Sequence, residues 1–154
     1  MVQWRTRPVV IDLNHDGLND LVIIDHEGYL SYFERKKTEG QLMLTPGKRI
    51  FLDTEGHPLR LNDRSAGHSG RRKIDLVDWD RDGDYDLLVN TKNIALYENI
   101  GSNKHFVFKE RGNLSTLTLA GHSTCPTTVD WNGDGSPDLL IGAEDGFFYY
   151  FPRK

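Results

Sequence analysis

Cysteine is nearly absent from this sequence, since Cys125 is the only one among 154 residues. A single thiol excludes an intrachain disulfide and a zinc site built from cysteines. No run approaches the roughly 18 consecutive apolar residues of a transmembrane helix, so no membrane span is expected. The amino-terminal segment lacks the apolar stretch of a signal peptide. Basic residues are not in excess either, since the chain has 19 Lys and Arg and 23 Asp and Glu. This charge balance argues against nucleic-acid binding.

The composition that remains favours one all-β domain. Hydrophobic residues make up only 37% of the chain, whereas glycine occurs 15 times and aromatic residues reach 10%. Short strands joined by glycine-containing turns fit these proportions better than a bundle of amphipathic helices, which needs more apolar residues. The length suits a single domain and allows a proper core.

An acidic nine-residue loop occurs three times, at residues 12–20, 78–86 and 130–138. Each copy follows the pattern D-x-[DN]-x-D-G-x-x-D and is followed by leucine and further apolar residues. A short apolar run precedes each loop, and an aromatic-rich run follows the next turn, as at 29–33 and 147–151. Runs of β-branched and aromatic residues between such turns are typical of strands. Each copy therefore predicts a unit of strand, loop, strand, turn and strand.

The chemistry of the loops indicates calcium sites. Ca²⁺ takes six to eight oxygen ligands, and Gly at loop position 6 allows the sharp turn around the ion. Side chains at positions 1, 3, 5 and 9 and a backbone carbonyl at position 7 can converge on one point. An EF-hand is excluded, because position 12 is an apolar strand residue in every copy instead of Glu. The predicted ligands are Asp12, Asn14, Asp16, Leu18 and Asp20; Asp78, Asp80, Asp82, Asp84 and Asp86; and Asp130, Asn132, Asp134, Ser136 and Asp138.

Three Ca²⁺ ions are therefore expected. Plain Asp-Gly turns are the alternative explanation for one loop, but three copies with the same oxygen positions argue against it. The expected role of the metal is to staple two strands together, with direct contact to a ligand as the alternative.

These loops, the leucine-led strands after them and the aromatic strands resemble the FG-GAP or VCBS repeat family, whose members include integrin α-type propellers. The resemblance implies an all-β partial β-propeller of about three four-stranded blades, with calcium between the first two strands of each. The implied blades cover about residues 4–61, 66–119 and 120–154, the last incomplete. We expect fourth strands near 42–44 or 49–52 in the first blade and near 106–108 in the second.

The chain departs from the family in its number of blades. Propellers typically have four to eight blades, and about two and a half are counted here. The missing blades are expected from the same longer chain or from self-association.

A second repeat lies outside the acidic loops. The tetrapeptide Ala-Gly-His-Ser occurs at 66–69 and at 120–123, shortly before the first strands of the second and third blades. One interpretation is a structural turn. The other is a site for an acidic glycan, in which His68 or His122 moves a proton and Arg71 binds a uronate carboxylate. Those three residues are the candidate catalytic residues, and β-elimination is the reaction they would suit.

Two classes of function follow. The chain resembles the C-terminal blades of bacterial propeller-type polysaccharide lyases, which implies a calcium-stabilised, extracellular, periplasmic or cell-surface segment that binds or degrades an acidic polysaccharide. The alternative is a non-catalytic, integrin-like adhesion module with a protein ligand, or a structural accessory domain. Whether the chain is part of an enzyme stays open at this point.

Overall fold

The fold was examined in a computed structural model, which describes residues 7–62, 72–91, 93–119 and 124–153. Over those ranges the chain forms twelve β-strands and no α-helix, and therefore no helix that could span a membrane. The strands are β1 (Val9–Ile11), β2 (Asp20–Ile24), β3 (Leu30–Phe33), β4 (Arg35–Thr38), β5 (Gln41–Leu44), β6 (Ile74–Val77), β7 (Asp86–Asn90), β8 (Ile94–Asn99), β9 (Phe108–Asn113), β10 (Cys125–Val129), β11 (Asp138–Gly142) and β12 (Phe148–Phe151).

The strands form three successive antiparallel sheets and one separate hairpin. The first sheet has the order β1-β2-β3, the second β6-β7-β8-β9 and the third β10-β11-β12, while β4 pairs with β5 alone. In each sheet an acidic loop joins the first two strands, as the repeat predicts. The expected all-β class is confirmed. The described residues form no closed ring, and the blade limits at 4–61, 66–119 and 120–154 stay predictions.

Equivalent residues of the repeat lie on the same face of each sheet. Side chains alternate along a strand, so the leucine directly after each acidic loop points to one face and the next residue to the other. We call the face of Leu21, Leu87 and Leu139 the rear face and that of Val22, Leu88 and Leu140 the front face. The front face of one sheet packs against the rear face of the next.

Two apolar clusters hold the three sheets together. The larger cluster lies between the first and second sheets, where Val22 and Ile24 meet Leu87 and Val89. The smaller cluster lies between the second and third sheets and includes Leu88, Ile94, Leu139 and Ile141. Burial of these side chains, at about 25 cal/mol per Å² of apolar surface, is the main stabilising contribution to the stacking of the sheets.

The fourth strand is regular in only one sheet. In the second sheet it is β9, which begins at Phe108, close to the expected position. In the first sheet the expectation of a fourth strand near 42–44 is wrong, because these residues belong to β5 and pair with β4. Glu39 and Gly40 both have positive φ, and such two-residue turns produce a tight hairpin that closes on itself.

The outer edge of β3 is instead covered by two separate segments. Tyr32 exchanges backbone hydrogen bonds with Lys48, and the Leu30 N–H donates to the Leu59 carbonyl. The residues between them leave the first sheet, and Leu52 pairs with Val107 next to the second. The second alternative, near 49–52, is therefore a link between two sheets.

Replacing Leu88 with Ala tests the smaller cluster. Leu88 is fully buried between the second and third sheets, so the change leaves a cavity and is expected to lower the free energy of unfolding by about 2–5 kcal/mol. Urea unfolding followed by tryptophan fluorescence measures the loss. The control is Leu117→Ala at an exposed apolar position between β9 and β10, which is expected to change stability by less than about 0.5 kcal/mol. Equal effects of the two changes would contradict the packing.

Candidate metal centre in three acidic loops

The first acidic loop is organised by carboxylate and amide oxygens that accept backbone N–H groups. The Asp16 N–H donates to Asp12 Oδ1 and to Asn14 Oδ1, both at 3.0 Å. The Gly17 N–H donates to Asp12 Oδ2 at 2.9 Å, and the Leu18 N–H donates to Asp16 Oδ1 at 2.8 Å. These bonds draw the predicted oxygen donors at positions 1, 3 and 5 around one centre.

The third loop repeats this arrangement. The Asp134 N–H donates to Asp130 Oδ1 at 3.0 Å and to Asn132 Oδ1 at 2.9 Å. The Gly135 N–H donates to Asp130 Oδ2 at 3.0 Å, and the Ser136 N–H donates to Asp134 Oδ1 at 2.8 Å. The shared pattern of bonds shows that the sequence repeat is also a structural repeat.

The second loop differs at its first carboxylate. Asp78 Oδ2 accepts the Gly83 N–H at 3.1 Å, but Asp78 Oδ1 is buried and has no hydrogen-bond donor. The carboxylates of Asp78, Asp80 and Asp82 each bring one oxygen within 4.8 Å of the others. An unpartnered buried carboxylate oxygen costs free energy, and a cation beside three such groups would remove that cost. The donor set therefore fits a hard divalent cation.

The sharp turn at position 6 is confirmed, and a second one precedes it. Gly83 has a φ of 96°, which favours glycine. Position 4 also adopts positive φ, although His15 and Arg81 occupy it in the first two loops. Sequence reasoning missed this strain, for which the glycine at position 4 of the third loop was the available signal.

The carboxylate at position 9 is a buried clamp in all three sheets. One of its oxygens accepts the N–H of loop position 2, and the other accepts an N–H at or just beyond the end of the third strand. The acceptors are Asp20, Asp86 and Asp138; the donors are Leu13 and Arg35, Trp79 and Asn99, and Trp131 and Arg153. These distances lie between 2.7 and 3.3 Å. The clamp ties the loop to the far strand of its own sheet, and its additional role as a metal ligand stays a prediction.

The clamp has a third donor in two of the sheets. The hydroxyl of Tyr32 donates to Asp20 at 2.8 Å, and that of Tyr150 donates to Asp138 at 2.9 Å. In the second sheet the matching position is Leu96, opposite Leu88, which has no hydroxyl to donate to Asp86.

The pKa of Asp86 is raised to about 6, mainly by burial. Asp80 and Asp82 of the same loop add to the increase, and the two backbone N–H donors oppose it.

In the second loop the side chain at position 7, Asp84, binds a residue of another connection. Asp84 Oδ1 accepts the Asn103 N–H at 2.8 Å, and the Asn103 side chain donates to the Gly83 carbonyl at 2.9 Å. The Tyr85 N–H in turn donates to Asn103 Oδ1 at 2.8 Å. Asn103 therefore fixes the loop from the β8–β9 connection. Sequence reasoning missed it because it lies well outside the motif.

The predicted catalytic residues His68, His122 and Arg71 all lie outside the described residues. Their roles in proton transfer and carboxylate binding therefore stay a prediction.

Arg7 lies just before β1 and contacts the third sheet. Its Nη1 donates to the Cys125 Sγ at 2.6 Å and to the Pro126 carbonyl at 3.3 Å. The segment just before β1 thus contacts the start of β10.

The sheets, the loops and their clamps define a protein built from β repeats with acidic loops, and comparison with known proteins specifies the type. Residues 78–141 match the FG-GAP-like repeat family. This segment contains the second acidic loop and ends in β11 of the third sheet, and it is an FG-GAP-like repeat. The resemblance inferred from the loops is thereby confirmed for this part of the chain.

A more distant relative covers most of the chain. Over 147 residues, 86% of this chain, the sequence is 27% identical to phosphatidylinositol-glycan-specific phospholipase D of Bos taurus. The match takes in 17% of that relative, so this chain spans about a sixth of its length. No solved structure matches the chain. The resemblance to polysaccharide lyases stays a prediction.

Replacing Tyr32 with Phe tests the clamp. The change removes one donor from the buried Asp20 carboxylate and is expected to lower the free energy of unfolding by about 1–2 kcal/mol, because two backbone donors remain. Chemical denaturation at neutral pH measures it. Tyr149→Phe is the control, since its hydroxyl bonds to the exposed Asp145. Equal stability of both variants would show that the hydroxyl is not part of the clamp.

Proposed function

We propose that this chain is a calcium-stabilised FG-GAP-type repeat module that serves in binding. The observation that carries the proposal is the second loop, where Asp78 has a buried oxygen without a donor beside the carboxylates of Asp80 and Asp82. Three acidic side chains held this close repel one another unless a cation lies among them. The equivalent oxygen donors of the first and third loops are arranged by the same turn.

The donor chemistry favours Ca²⁺ over other metals. All side-chain donors are carboxylate or amide oxygens, which hard cations prefer, and none is sulfur or imidazole. Mg²⁺ requires near-ideal octahedral geometry and gives up its waters reluctantly, whereas Ca²⁺ accepts a flexible, irregular set of oxygens. Asp78, Asp80 and Asp82 would hold the ion in the second loop, with the backbone carbonyl of position 7 as a further donor.

The proposed role of the ion is to fix the connection between the first two strands of each sheet. The loop is exposed, and it is otherwise held by bonds among its own residues and by the clamp at its end. A cation that binds only the folded loop stabilises the native state in proportion to its occupancy. The loops would then keep the sheets in register for a binding surface elsewhere on the molecule.

The proposed binding partner is an acidic polysaccharide outside the cell or in the periplasm, with a protein ligand as the alternative. His68, Arg71 and His122 stand in the sequence shortly before β6 and β10, the first strands of the second and third sheets. Arginine and histidine are suited to carboxylate recognition. The name of the bovine relative also concerns a glycan-containing substrate, phosphatidylinositol-glycan. A lyase activity at these residues belongs to the same proposal.

Thermal unfolding with and without calcium tests the metal. At about one hundred times the dissociation constant, one occupied site adds about 2.7 kcal/mol, which corresponds to a rise in Tm of about 5–10 °C for a chain of this size. Asp80→Asn removes a carboxylate from the second loop and is expected to reduce this rise. Asp145→Asn, in an exposed turn outside the acidic loops, is the control and leaves it unchanged. An identical Tm in calcium and in chelator would overturn the proposal.

Binding to polygalacturonate tests the polysaccharide. Isothermal titration calorimetry is expected to show binding that Arg71→Ala weakens at least tenfold and that His68→Ala and His122→Ala also weaken. His57→Ala is the control, because His57 lies in a different, exposed turn. A parallel assay for unsaturated products by ultraviolet absorbance separates binding from lyase activity. Failure of the wild-type chain to bind acidic glycans would favour the protein-ligand alternative.

A further inference from the structure

The outermost sheets each leave one apolar face open. On the front face of the third sheet, Val129, Trp131, Phe148 and Tyr150 are all exposed. On the rear face of the first sheet, Val10 is exposed. Contiguous exposed apolar surface of this kind marks an interaction site.

The repeat shows what covers the front face elsewhere in the molecule. Leu30, Ile94 and Phe148 occupy the same position in their sheets, each opposite the last residue of the second strand. Leu30 and Ile94 are 0% exposed because the next sheet packs on them, whereas Phe148 is 86% exposed. The third sheet therefore carries the same kind of front face as the first two, but none of the sheets formed by the described residues lies on it.

The residue at loop position 2 is likewise covered in the first two loops and exposed in the third. Leu13 in the first loop is buried in the larger cluster, and Trp79 in the second packs against the smaller one. Trp131 in the third loop is 67% exposed and contacts only the ring of Tyr150 among the aromatic side chains of the described residues.

The rear face of the first sheet is more exposed than the rear face of the second. Val10 and Leu76 hold the same position, opposite the leucine that follows the acidic loop. Leu76 is 7% exposed beneath the front face of the first sheet, but Val10 is 61% exposed. Leu21 is also only partly buried, whereas the equivalent Leu87 is buried completely.

We propose that a second copy of this chain covers both faces, with the front face of the third sheet of one copy packed on the rear face of the first sheet of the other. The molecule already forms this kind of interface twice, between its first and second and its second and third sheets. Among the described residues, the rear face of the first sheet and the front face of the third are the two uncovered halves of the same kind of interface. The association is thus head to tail, and it continues the existing stack of sheets.

The receiving face has a groove for the protruding aromatic side chains. A groove of about 470 Å³ runs between the first sheet and the β4–β5 hairpin, lined by Val10, Leu21 and Arg35 and by the hairpin residues Leu42 to Leu44. All of β5 is exposed, although three of its four residues are apolar. Phe148 and Tyr150 of a second copy would insert here and cover that apolar strand.

One polar contact of the interface can be derived from the existing one. The Arg153 guanidinium of the third sheet lies 5.2 Å from the centre of the Trp79 ring in the second loop. Arg35 corresponds to Arg153, because the N–H of each donates to the clamp carboxylate of its own sheet. Trp131 corresponds to Trp79 at loop position 2. A head-to-tail contact therefore places Arg35 of one copy over Trp131 of the other, a cation–π pair.

Two copies satisfy both ends at once. A head-to-tail contact produces either a closed ring or an open filament. Two copies of three sheets each bring six sheets together, within the range of four to eight blades that close a propeller. The expected assembly is a dimer with two identical interfaces. It rests on apolar faces, so it is separable from the calcium proposal.

Sedimentation equilibrium of the full chain tests the inference, in calcium and in chelator. Wild-type chain is expected to be a dimer at micromolar concentration. Phe148→Asp and Val10→Asp each disrupt one half of the interface and are expected to raise the dimer dissociation constant at least tenfold. Ile100→Asp, at an exposed apolar position directly after β8, is the control and leaves the dimer intact. Circular dichroism verifies that each variant is folded.

Mixing the two variants decides the geometry. Phe148→Asp has an intact rear face and Val10→Asp an intact front face, so their mixture is expected to form heterodimers although each variant alone is monomeric. Arg35→Ala is expected to weaken the dimer, because it removes the cation–π pair with Trp131 of the other copy. A wild-type chain that stays monomeric up to about 100 μM would overturn the proposal and assign the faces to another partner. Disruption by Phe148→Asp but not by Val10→Asp would overturn it in favour of a symmetric front-to-front dimer.

Discussion

A single buried carboxylate at the end of each acidic loop connects the parts of every sheet. Asp20, Asp86 and Asp138 each accept one N–H from the start of their loop and another from the end of the third strand. A buried carboxylate that lost these donors would be costly, so the loop, the first hairpin and the far strand fold together. The acidic loops are thus anchored to the sheets at the same residue that ends them.

The clamp also fixes which side chains form the interfaces between sheets. Because it holds the first residue of the second strand, every following side chain has a set face: Leu87 goes to the rear and Leu88 to the front. The same alternation applies in all three sheets, so the sheets stack with equivalent surfaces. Stacking of equivalent surfaces has no natural end, which is why the third sheet carries an exposed aromatic front face. The acidic loops and the exposed front face are therefore two consequences of one repeat.

Much of this arrangement could be predicted because it is local. The strands, the acidic loops and the positive φ at Gly83 follow from residue types within a dozen positions. Failures occurred where distant segments compete. Gln41–Leu44 has the composition of a fourth strand but closes on β4, because its short turn outcompetes the sheet edge. Asn103 acts on the second loop from another connection, and nothing in its own neighbourhood marks it.

The sequence by itself determined the all-β class, the three loops and the positions of their carboxylate and amide oxygens, since a nine-residue turn places its own side chains. Only the tertiary structure decided the state of those oxygens and of the apolar residues between the loops. Asp78 keeps an unpartnered oxygen although Asp12 and Asp130 use theirs. Ile94 and Phe148 hold the same position in the repeat, yet one is covered and the other open. Whether such a side chain is buried depends on the sheet packed against it, and the sequence of one repeat does not specify that sheet.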